Sequence, residues 1–165
     1  MGFYLSVMSD LEGYEGPCRE RDIIGKSYYI LVVNTEMFGD DGVMIRYGQA
    51  IGVDLEPLTR FMYYGMPCFD ESGEEIPCND EEPTPDQWLP VDEALELATR
   101  FRDAVKTDPS SLRSVPFDCK EEIGQHEQFI GYFESGEVVR DLDSIIDTID
   151  CYRSAGATAV RFVAG

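Results

Sequence analysis

Apolar residues recur with helical spacing most regularly in the second half of the chain. From Val91, the positions Ala94, Leu95, Ala98, Phe101 and Val105 fall on one face of a helix. Pro90 suits the first turn, where its missing N–H costs nothing, and Pro109 stops the helix. Asp92, Glu93 and Glu96 lie toward its N-terminus and Arg100, Arg102 and Lys106 toward its C-terminus, as the helix dipole favours. Glu96 and Arg100 can also pair one turn apart.

A second helix is predicted from Asp118 as N-cap with Glu121 three residues on, its apolar stripe running Cys119, Ile123, His126, Ile130, Phe133. Gly124 and Gly131 weaken that helix and leave room for a close neighbour. A third carries Val138, Leu142, Ile145, Ile146, Ile149 and Tyr152 on one face and Asp143, Asp147 and Asp150 on another, with Gly156 as a left-handed C-terminal residue.

Strand signals stand near the two ends. Phe3 to Met8 (FYLSVM) and Thr158 to Val163 (TAVRFV) are short, apolar and rich in β-formers, and pairing them in one sheet satisfies both. Ser27 to Val33 (SYYILVV) lacks clean alternation but has strong β propensity, which predicts a strand. Asp40 and Asp41 before Val43, Met44, Tyr47, Ala50 and Ile51 predict a short helix ending near Gly52, with a further turn through Leu55, Leu58, Phe61 and Met62. The order predicts an α+β fold, predominantly helical, forming a single domain over residues 1–165 with a small sheet that pairs the N- and C-terminal strands.

Charge changes this picture at one place. The chain carries 33 Asp and Glu against 13 Lys and Arg, a net charge of -20 over 165 residues. Between Arg60 and Arg100 there are eleven acids and no base, eight of them within Asp70 to Asp86. Asp70-Glu71-Ser72-Gly73 reads as a tight turn joining Met66–Phe69 to Glu74–Ile76, and the stretch to Gln87, with Pro83 and Pro85, reads as loop. Asp92, Glu93 and Glu96 already have a structural reason as first-turn acids. That leaves the loop at about 70–87 as the docking surface to expect, with Asp70, Glu71, Glu74, Glu75, Asp80, Glu81, Glu82 and Asp86 as its carboxylates. Trp88, Tyr63 and Tyr64 are the candidate aromatic anchors, and Trp88 serves equally as a cap over the following helix.

A field of this sign repels phosphate backbones over a Debye length of about 8 to 10 Å, which argues against direct nucleic-acid binding and against anionic membranes. No apolar run approaches a membrane span, and the first residues lack the pattern of an export signal, so a cytoplasmic location is expected. Five cysteines, at 18, 68, 78, 119 and 151, are scattered without a CxxC, which is the pattern of reduced thiols.

Catalytic patterns are sparse. His126 is the sole histidine, and on a helix Cys119 and His126 stand about 10 Å apart along the axis, too far for a thiol and its base. Cys68, Cys78, Cys119 and His126 have no recognised zinc spacing, and neither acidic cluster has the ligand spacing of an EF-hand, so no metal or other cofactor is expected. Phosphate-binding and GxSxG motifs are missing, and carboxylates are too many for any catalytic pair to be chosen.

The expected function is therefore a non-enzymatic protein-interaction module for a basic partner, comparable in charge alone to immunity proteins and nucleic-acid-mimic inhibitors. The alternative is an enzyme or ligand-binding protein whose site gathers distant residues around His126.

Overall fold

The computed structural model describes residues 5–18, 25–63, 68–69, 71–76, 88–116 and 123–164. The chain is a predominantly helical α+β domain. Strand β1 (Leu5–Ser9) runs antiparallel to β6 (Ala159–Ala164), in register from Leu5 opposite Ala164 to Ser9 opposite Val160, so the two terminal strands pair as expected. On the other edge of β6 lie β2 (Phe61–Tyr63), parallel to it, and the short β5 (Leu89–Pro90), antiparallel. Asp10 fastens the end of the β1–β6 pair: its N–H bonds to Ala159 O at 3.1 Å, and its carboxylate accepts the Thr158 N–H at 3.0 Å and the Thr158 hydroxyl.

One sheet face, carrying Leu5, Val7, Val160, Phe162 and Ala164, is buried against the helices. Those helices are α1 (Lys26–Phe38), α2 (Val43–Ile51), α3 (Val91–Thr107), α4 (Ile123–Glu134) and α5 (Glu137–Ser154). Helices α3 and α5 pack antiparallel, joined by Arg102 to Asp143 at 3.1 Å at one end and Arg153 to Asp92 at 3.5 Å at the other. Tyr47, Phe101 and Phe133 meet in the core with ring centroids 5.1 to 5.9 Å apart. The Tyr47 hydroxyl is satisfied by Ser111 Oγ at 2.9 Å.

The stretch predicted as a strand over Ser27 to Val33 is helix α1. Its wholly or nearly wholly buried residues Tyr28, Leu31, Val32 and Thr35 follow the three-and-four spacing of a helix face, and the helix continues through residues 34–38 to 13 residues. Tertiary burial thus overrides the β propensity of Tyr, Ile and Val. The next helix needs help, because its N-cap residue is Gly42; Asn34 Oδ1, reaching over from α1, accepts the Val43 N–H at 2.9 Å. Helix α2 then ends at left-handed Gly52, as expected.

Two further expectations change. The buried stripe of α4 is Phe129, Ile130, Tyr132 and Phe133, while His126 is half-buried, so the imidazole sits at the margin of the core. The predicted N-cap Asp118, with Cys119 and Glu121, lies outside the described residues. Among the cysteines, Cys18 and Cys151 form a disulfide across 133 residues of sequence. Spacing carries no signal for a pair so distant, which is why reduced thiols were expected; the fold brings the two Cα atoms to 5.7 Å. The Tyr14 hydroxyl lies 3.0 Å from the Cys18 sulfur, and its ring packs edge-on against Tyr152.

Candidate interaction surface and a polar cavity

Part of the predicted acidic turn, Glu71 to Gly73, lies among the described residues. Strands β3 (Cys68–Phe69) and β4 (Glu75–Ile76) make a separate two-stranded hairpin, and Gly73 adopts φ +82° in the turn between them, a backbone angle that glycine permits without strain. Glu71 and Glu74 are exposed there. Glu75 pairs with Phe69 through the backbone. Asp70, Asp80, Glu81, Glu82, Asp86 and Tyr64 fall outside the described residues, and Tyr63 lies on β2. The structure therefore brings Glu71, Glu74 and Glu75 onto one hairpin.

Trp88 stands elsewhere, half-buried beside the sheet with the Arg161 guanidinium 4.7 Å from its ring centroid. Arg161 belongs to β6, on the sheet face opposite the helical core, and its Nε and Nη1 are buried without a hydrogen-bond partner. Burial pushes its pKa down. Trp88 is thus a stacked cover for a half-buried cation, closer to the structural reading than to an exposed anchor.

The remaining cations are largely neutralised by the chain itself. Every described arginine other than Arg161 is held in an ion pair: Arg46 with Asp41, Arg60 with Glu56, Arg100 with Glu96, Arg102 with Asp103 and Asp143, Arg113 with Glu134, Arg140 with Glu137, and Arg153 with Asp150 and Asp92. Arg113 and Glu134 perturb each other in the usual sense, the guanidinium pKa rising and the carboxyl falling. Glu93, Glu127 and Asp147 remain exposed carboxylates with no ion pair among the described residues.

A feature that sequence reading missed lies where α1 meets α4 and the start of α5. A cavity of about 250 Å³ opens there, walled by Ile30, Phe129, Gly131 and Tyr132 and edged by Ser27, Gln128, Ser135 and Glu137. His126 does not line it. Behind the wall, the Tyr132 hydroxyl donates to Asp141 Oδ2 at 2.5 Å, and Asp141 also accepts a bond from the Gly25 backbone. Burial raises the Asp141 pKa above the ordinary carboxylate range despite those two hydrogen bonds, and burial first, with Asp141 second, raises the phenols of Tyr28 and Tyr132. Tyr28 is wholly buried and its hydroxyl has no hydrogen-bond partner among the described residues. Tyr132 and Asp141 are nine residues apart on successive helices, whereas Tyr28 comes from the distant α1, so no local pattern announces the three together.

Among the described residues no group of three or more His, Cys, Asp or Glu is placed to hold a metal ion, and no helix is long and apolar enough to cross a membrane. Of the zinc set weighed from the sequence, Cys78 and Cys119 lie outside the described residues. The chain matches no family model, no curated protein and no solved structure.

Proposed function

We propose that this protein is a non-enzymatic interaction module that engages a basic protein partner. The observation that carries the reading is the distribution of charge: every described arginine but Arg161 is spent on an internal ion pair, which leaves the excess of acid, a net charge of -20, without cations to offset it. Such a surface raises the encounter rate with a cationic protein and repels nucleic acid. The hairpin that carries Glu71, Glu74 and Glu75 exposes the carboxylates of Glu71 and Glu74 at its turn.

The disulfide bears on location. Disulfides persist in oxidising compartments, so Cys18–Cys151 favours such a compartment over the cytoplasmic location expected from the sequence. The alternative of a site gathered around His126 draws nothing from the cavity, which His126 does not reach.

The test is capture of a basic partner at about 0.15 M ionic strength, followed by association kinetics. Replacing Glu71, Glu74 and Glu75 together by Gln is expected to lower the on-rate several-fold and flatten its salt dependence, with little change in the off-rate. If nothing basic survives that ionic strength, or if the on-rate is unmoved, the acidity serves solubility alone.

A further inference from the structure

We infer that the cavity between α1, α4 and the first turn of α5 is a binding site for an alkylammonium group, a primary amine carried on a short apolar chain.

The lining states the chemistry. Phe129, Tyr132 and Ile30 give apolar and aromatic walls, and among the described residues Glu137 is the charged side chain at the edge. Ser27 and Gln128 add oxygen acceptors beside it. An anion finds no cationic donor there. A neutral apolar guest gains from the walls but offers the carboxylate no donor in place of the water it displaces, which costs free energy. A chain ending in an ammonium satisfies both halves, its stem against the walls and its charge against Glu137. Asp141, held behind Tyr132, adds negative potential from inside the wall. The volume of about 250 Å³ equals the share of roughly eight waters, room enough for a stem like that of lysine.

Gly131 supplies an independent observation. It sits within α4, where Gly is less favourable than Ala by about 0.5–1 kcal/mol, and no positive φ requires it. A Cβ built on it meets no atom within 4 Å, so close packing does not require it either. Gly131 is exposed and lines the cavity, so a side chain placed there would extend into open space at its mouth. The Arg140 guanidinium does contact Glu137, but at 3.9 Å and with both side chains more than half exposed. An exposed pair of that kind is weak and yields to a better-placed ammonium.

The site is defined by ligand chemistry, so it stands even if the basic-partner reading fails. The test is an NMR titration of the full-length chain at about 0.15 M salt with n-butylammonium, against 1-butanol as the neutral isostere. Saturable shifts centred on Phe129, Gly131 and Ser135 are expected, with affinity at least about tenfold above that of butanol. Glu137→Gln is expected to erase that preference, and Gly131→Leu, which fills the opening from an unobstructed position, to abolish binding while the amide spectrum of β6 is unchanged. Nα-acetyl-lysine methylamide then separates the sources: binding equal to butylammonium assigns a lysine side chain of a protein, and binding of butylammonium alone assigns a free amine. Equal affinity for butanol, or shifts scattered over the carboxylates of α3 and α5 that persist in Gly131→Leu, would overturn the assignment.

Discussion

Reducing the Cys18–Cys151 disulfide is expected to cost this fold a large part of its stability. The bond closes a loop of 133 residues, and the loop-closure entropy of a chain of that length corresponds to about 5 kcal/mol at 25 °C. Domains of this size are stable by about 5–15 kcal/mol in total. Cys18 is 1% exposed and joins the hydrophobic core, so the bond sits where the segment after β1 meets the C-terminal end of α5. Replacing both residues by Ala removes the link without burying a hydroxyl at position 18. Thermal denaturation of oxidised protein, reduced protein and the double variant is the assay. At roughly 2–4 °C per kcal/mol for a chain of this length, the midpoint is expected to fall by about 10–20 °C on reduction, and the double variant should match the reduced protein with no further response to reductant. Alkylation of the oxidised protein in denaturant should label no more than three of the five cysteines. An unchanged midpoint on reduction, with the bond shown to be cleaved, would refute the reasoning.

Further outcomes follow from single side chains. Asp141 has a folded pKa above its ordinary value, so while ionised at neutral pH it opposes folding, and stability should be regained as pH falls through that raised value toward 3.8. Asp141→Asn is expected to remove this gain from a denaturation series across acidic pH, and Tyr132→Phe, which deletes a hydrogen bond that lowers the Asp141 pKa, to move its midpoint upward in an NMR titration. Two glycine-to-alanine changes should have opposite signs: Gly131→Ala is expected to stabilise by about 0.5–1 kcal/mol. At Gly48, a Cβ would lie 2.5 Å from Val53 O, so Gly48→Ala should destabilise, both changes being read from urea denaturation midpoints. Phe133→Ala empties the centre of the Tyr47–Phe101–Phe133 cluster and is expected to cost about 3–5 kcal/mol by denaturant midpoint.

What could be read along the chain was whatever neighbours in sequence decide together. Helices α3 and α5 announce themselves because their buried residues return every three or four positions, and the acidic hairpin because its turn residues are contiguous. The terminal strands were legible as strands, and their pairing followed from the need of two apolar edges for partners. Helix α1 was misread because Tyr, Ile and Val carry β propensity, and only packing against α2, α5 and β1 reveals which of them are buried.

The candidate sites divide the same way. The net charge and the exposed acidic turn are properties of composition and local order, and they stand in the sequence unaided. Which cations remain to offset that charge is not, because Arg102 with Asp143 and Arg113 with Glu134 meet only across helices. The Cys18–Cys151 bond, the part-buried Tyr132–Asp141 pair and the cavity lined by Gly131 belong to the tertiary structure alone. Periodicity specifies which face of an element turns inward, whereas distance between elements is set by the packed core, and it is distance that makes a disulfide, shifts a pKa or encloses a cavity.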